Sequence, residues 1–135
     1  MSFDTPYEAV TNGVRVRVLP DFSDEQSDPD EAHFFWTYTV EITNVGAETV
    51  QLRSRVWQIT DASGQRQEVR GPGVVGETPR LAPGQSFSYT SGCPLPTPSG
   101  IMMGSYQMAG TDGQLFDVKI PAFSLDSPYT VRSVN

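Results

Sequence analysis

The feature that most constrains this chain is a hydrophobic period of two, repeated in short segments and cut by turn residues. Val14, Val16 and Val18 alternate with Arg15 and Arg17 before Pro20 closes the segment, the pattern of a strand with one buried face. From Phe34 to Asn44 the residues Phe34, Trp36, Tyr38, Val40 and Ile42 share one face while Thr37, Thr39, Glu41 and Thr43 share the other. This β-branched and aromatic run predicts a long strand. A turn at Asn44 to Glu48 leads into an alternation through Val50 and Leu52 that ends at Ser54. A separate strand is expected over Val56 to Thr60, with a hairpin at Asp61-Ala-Ser-Gly64 and a return over Gln65 to Arg70. Pro83-Gly84 feeds a strand bearing Phe87 and Tyr89. Pro94, Pro96 and Pro98 predict a stiff crossover over Ser91 to Gly100. Ile101 to Ala109 and Gln114 to Ile120 form a last pair around Thr111-Asp-Gly113. No segment carries a ten-residue helical stripe.

About seven to eight antiparallel strands in one small chain mean a β-sandwich, and the immunoglobulin-like arrangement is the expected form. Cys93 is the sole cysteine, so no internal disulfide pins the sheets, which points to the fibronectin type III-like variety. At 135 residues the chain is one domain, with its core over about residues 13–125 and short flexible ends.

Charge removes some functions. Nine Lys and Arg against sixteen Asp and Glu give a net charge of −7, which opposes binding to nucleic acid or to an anionic membrane face. No stretch is apolar enough to span a membrane, and the first ten residues lack the charged and apolar regions of a secretory leader. A lone cysteine fits a reducing cytoplasm.

Three candidate sites follow. Gly71-Pro-Gly-Val-Val-Gly76 matches G-x-G-x-x-G, in which backbone N–H groups cradle a pyrophosphate. Pro79 and Pro83 forbid the helix that a dinucleotide fold needs next, and Pro72 removes a donor. What is left is a helix-free anion nest at Gly71, Gly73 and Gly76 with Arg70 or Arg80 assisting, set against a plain inter-strand loop. Asp21 to Glu31 holds six carboxylates. A solvated loop is favoured there over a weak Mg²⁺ or Co²⁺ site at Asp28, Asp30, Glu31 and His33, since one imidazole builds no strong site. Cys93 and the serines Ser91 and Ser99 would all depend on His33 as base, so a structural role is favoured over catalysis. Pro94-Leu-Pro-Thr-Pro98 and the methionines Met102, Met103 and Met108 are either structural or part of a contact surface.

Five segments together resemble a known family: Asp24-Glu-Gln-Ser-Asp-Pro29, Trp57-Gln-Ile-Thr-Asp61, Glu68-Val-Arg-Gly-Pro-Gly-Val-Val-Gly76, Ser91-Gly-Cys-Pro-Leu-Pro-Thr-Pro-Ser-Gly100 and Gly104-Ser-Tyr-Gln-Met108. They resemble the bacterial ApaG domain family over about Val14 to Leu125. The resemblance implies a fibronectin type III-like sandwich, a link to cobalt resistance and magnesium efflux, and protein interaction as in eukaryotic copies of the domain. It also implies a pyrophosphate-binding reading for the glycine segment. Where the family pattern commonly has histidine before the tryptophan, this chain has Val56, so no role of that histidine transfers. The expected function is a non-enzymatic interaction module for a protein partner, acting as monomer or homodimer in the cytoplasm with no resident cofactor. The alternative is a module that holds a nucleotide or pyrophosphate on Gly71 to Gly76.

Overall fold

A computed structural model of the chain describes residues 7–130. Its strands are β1 (Tyr7–Thr11), β2 (Val14–Phe22), β3 (Phe34–Asn44), β4 (Val50–Asp61), β5 (Arg66–Pro72), β6 (Arg80–Leu81), β7 (Ser86–Leu95), β8 (Gly100–Ala109) and β9 (Leu115–Leu125). Among the described residues one 3-10 turn, Pro29–Glu31, interrupts the all-β pattern. One sheet has the order β1-β2-β3-β7; the other has β5-β4-β8-β9, with β6 also paired to β4. All pairings are antiparallel. The expected sandwich is therefore what forms.

The inner faces are those the alternation marks. Val14, Val16, Val18, Trp36, Tyr38, Val40 and Ile42 come from one sheet, and Leu52, Trp57, Met102, Tyr106, Met108, Val118, Ile120 and Phe123 from the other, all buried. Phe123 stacks edge-on against Trp57 at 5.9 Å and tilted against Tyr38 at 6.0 Å, joining the sheets through aromatic contacts. Exposed Met103 lies on the outer face, whereas Met102 and Met108 are core.

Four expectations change. The described residues form nine strands, because Tyr7–Thr11, assigned from sequence to a flexible end, pairs with β2 from Tyr7 opposite Val18 to Thr11 opposite Val14. The two strands expected between Thr49 and Thr60 are one strand, β4, with a bulge between Leu52 and Ser54. The crossover expected from Ser91 starts later: β7 continues through Pro94 and Leu95, with Pro94 opposite Phe35. Pro94 is tolerated because β7 is an edge strand, where a missing N–H need not break a ladder. Finally, β9 runs on past Ile120 to Leu125.

Candidate functional site

The bulge in β4 decides what enters the space between the sheets. Leu52 faces the core; after the extra residue, inward positions become Arg55, Trp57 and Ile59, and Val56, Gln58 and Thr60 turn outward. A bulge re-aims side chains in this way. Arg55 is therefore sent inward from an otherwise apolar row. It does not reach the middle of the core, because β5 and β7, the edge strands on this side, pair among the described residues only with β4 and β3 respectively. Between them lies a cleft of about 220 Å³ whose lining includes Tyr38, Arg55, Trp57, Val69, Ser91 and Cys93.

The glycine segment holds this arginine. Nη1 of Arg55 donates to the carbonyl of Pro72 at 3.0 Å and to that of Gly73 at 2.8 Å. Gly71 lies opposite Arg55 across the β4–β5 ladder. A Cβ on Gly71 would stand 3.1 Å from Nη1, so the missing side chain gives the guanidinium its seat. Gly73 has φ +60° and no room for a Cβ against the Glu77 carbonyl; Gly76 has φ +80° in open space. Each glycine in the pattern thus has a backbone reason.

The loop's donors are largely engaged within the protein. Gly73 N–H donates to Arg53 O, Val74 N–H to Glu77 O and Glu77 N–H to Val74 O. Pro72 has none, which leaves the N–H groups of Val75 and Gly76 at the tip without a backbone acceptor among the described residues. Arg70 and Arg80 point to other business. Arg70 is exposed and donates to Glu68 at 2.8 Å; Arg80 lies beside Gln51, Arg53 and the Gly110–Gly113 turn. The arginine that the structure brings to the glycines is Arg55.

The hydroxyls buried near Arg55 are polar but uncharged. The hydroxyls of Tyr89 and Tyr106 hydrogen-bond across the two sheets. Burial pushes both phenols well up, and the Arg55 charge opposes this only weakly. Burial also raises Tyr38. The Cys93 thiol, 3% exposed, is pushed up to about 11 by burial alone. It is a neutral thiol at pH 7, without the thiolate that nucleophilic chemistry requires. His33, exposed on the outside, lines a different groove with Phe35, Pro94 and Pro96.

The acidic segment forms a tight loop rather than a cage. Asp28 N–H donates to His33 O at 2.7 Å and His33 N–H returns to Asp28 O at 2.9 Å around the 3-10 turn. Asp28, Asp30, Glu31 and His33 are all exposed. Among the described residues, no three His, Cys, Asp or Glu side chains gather as a metal-holding group.

The ApaG domain family model matches residues 24–110, which span the glycine segment, the bulged strand and the cleft. The chain belongs to the ApaG domain family. It is similar to Protein ApaG of Brucella anthropi, 59% identical over 129 residues that cover 96% of this chain and 99% of that one. It is also similar to Protein ApaG of Rhodospirillum centenum, 61% identical over 123 residues that cover 91% and 95% of the two chains. The crystal structure of an ApaA protein from Bordetella pertussis superposes with a TM-score of 0.83 at 50% identity, covering 91% of this chain and 97% of that one. In this ApaG domain Val56 sits on the outer face between Arg70 and Ser105, on the side of β4 away from the cleft. Sequence reasoning missed Arg55, and the only signal for it was the apolar parity break between Leu52 and Trp57.

Proposed function

We propose that this ApaG domain is a non-catalytic interaction module that receives a partner protein along the open side of its sandwich. The observation that carries the reading is the pair of unpaired strand edges, β5 and β7, flanking a cleft with aromatic walls and one held arginine. Exposed edges are where extended partner segments add to a sheet. The cleft continues past Gln67 and Pro94 into a second hollow bounded by Asp61, Arg66 and Pro96, so the receptive surface follows the seam for much of its length. The buried, neutral Cys93 supports a structural use for the one thiol. In this reading any part in cobalt and magnesium handling, which the family resemblance implies, runs through the partner in the cytoplasm. The nucleotide reading has less support, because the glycine loop turns its carbonyls to Arg55 and keeps few N–H groups for phosphate oxygens.

A photo-crosslinking amino acid placed at Gln67, in the open seam, and separately at Lys119, on the far side, tests this in growing cells. Adducts to a discrete protein from position 67 and none from position 119 are expected. Equal adduct patterns from both positions, or none from 67, would sink the reading.

A further inference from the structure

We infer that the cleft beside Arg55 is a carboxylate pocket, which takes an acidic side chain of an extended partner segment together with an adjoining apolar group. This rests on the interaction-module reading and adds the chemistry of what the partner inserts.

The first ground is the state of the guanidinium. Arg offers five N–H donors. Two, both on Nη1, are engaged by the Pro72 and Gly73 carbonyls. Nε and Nη2 have no acceptor among the described residues, and neither belongs to the buried unpartnered atoms, so both stay accessible on a side chain that lines the cleft. Nor does any carboxylate among the described residues form an ion pair with Arg55. Nε and one Nη2 hydrogen form the planar fork that a carboxylate accepts as two parallel bonds. The fork is pre-ordered by the glycine seat, so little rotamer freedom remains to be lost on binding.

The second ground is the wall. Trp57, Ile59, Val69 and Met102 border the same cavity as Arg55 and Ser91. A volume of about 220 Å³ suits one side chain or a small fragment and falls below the usual range for whole-ligand pockets, roughly 300–1,000 Å³. The third is local charge. The protein is acidic at −7, yet the one charged side chain among the described residues that line the cleft is Arg55, and β7 carries no charged residue at all.

The probe is phenylacetate, with its neutral isostere phenylacetamide and inorganic phosphate as comparators, titrated into ¹⁵N-labelled full chain and followed by NMR. Phenylacetate should move the Arg55 Nε–H and the amides of Val69, Ser91 and Cys93 with a Kd of about millimolar order. Phenylacetamide should bind about tenfold more weakly, the scale of a charge-assisted hydrogen bond. Arg55→Gln should erase that difference. Arg55→Lys, which keeps the charge and loses the fork, should retain part of it. The acid-against-amide comparison on the unaltered chain stands even if either variant folds poorly. Equal affinity for acid and amide, tighter binding of phosphate than of phenylacetate, or shifts confined to other regions would overturn the pocket. Crosslinks from position 67 that persist with no acid preference would overturn the pocket and leave the interaction reading standing.

Discussion

The two long sides of this sandwich are built from the same kinds of residue and end up with opposite properties. On one side β1 and β9 close against each other. Lys119 N–H donates to Thr11 Oγ1 at 3.2 Å, Asn12 Nδ2 reaches Asp117 O, and Tyr7 meets Phe123 at 6.0 Å between ring centres. On the other side β5 and β7 stay apart, and the gap is occupied by a cation that the chain itself carries in. A closed side stabilises; an open side leaves backbone edges and a charge available. Both the β4–β8 and the β8–β9 pairings carry a register shift, and what separates the two sides is the charge that the one in β4 brings inward. The bulge in β4 swings Arg55 inward, and the glycines of the adjacent loop give it a place to lie. The wider lesson is that a sandwich gains a binding side less by adding residues than by shifting the register of one strand by one.

The comparison breaks most directly at the core. Phe123, 1% exposed, touches Tyr7 on the closed side and reaches Tyr38 and Trp57 across the core. Phe123→Ala should cost about 3–5 kcal/mol, the usual range for a buried aromatic. Val69 on the open side is only half-buried, so Val69→Ala should cost about 1 kcal/mol or less. Urea unfolding with unchanged m values measures both. If Val69→Ala cost as much as Phe123→Ala, the open side would be core and not cleft.

The second effect is alkaline. Cys93 is pushed up to about 11 by burial, and Tyr38, Tyr89 and Tyr106 are raised by burial as well. In the unfolded chain these groups ionise at ordinary values, about 8.5 for thiol and 10 for phenol. Above those values the folded state holds more protons than the unfolded one, so stability falls as pH rises. Below about pH 8 these groups contribute no pH dependence; above it the slope should steepen toward about 1.4 kcal/mol per pH unit for each group involved. Cys93→Ala should move the onset upward, toward the tyrosine range. An onset that stays put in that variant would mean that the thiol is not buried in solution as it is beside the cleft.

The core was legible in the sequence because Phe34 to Asn44 and Val14 to Val18 alternate without interruption, whereas β1, half of the closed side, was not. The glycine pattern was legible as a special backbone, and its customer was not. A phosphate reading was the natural one for G-x-G-x-x-G, but the residue that uses the loop is sixteen positions upstream of Gly71, at Arg55. The parity break between Leu52 and Trp57 does not decide it, since Leu52-Arg-Ser-Arg-Val-Trp57 can be split into two strands or joined by a bulge with equal ease. Only the partner strand β8, which sets Leu52 opposite Met108 and Ser54 opposite Gln107, decides between them. Pro94 misled for a related reason: whether a proline ends a strand depends on whether that strand is an edge, and edge position is a property of topology.

The smallest effects separate the three glycines from one another and so test how firmly the open side is held. Gly73 combines a left-handed backbone, φ +60°, with a Cβ position blocked by the Glu77 carbonyl, so Gly73→Ala should cost about 2–3 kcal/mol, strain and overlap together. Gly76 has φ +80° but nothing near its Cβ position, so Gly76→Ala carries only the left-handed penalty, about 1 kcal/mol. Gly71 has no such φ, and its Cβ would press on the Arg55 side chain, whose end can yield. Gly71→Ala should therefore change thermal stability least, within about 1 kcal/mol. It should nonetheless disturb the open side most, shifting the Arg55 Nε–H resonance while the Gly73 and Gly76 variants are ranked by melting temperature alone. Were Gly71→Ala to leave that resonance in place, the guanidinium would be held by the Pro72 and Gly73 carbonyls without its seat. The register of β4, and not the glycine beside it, would then be what keeps Arg55 at the cleft.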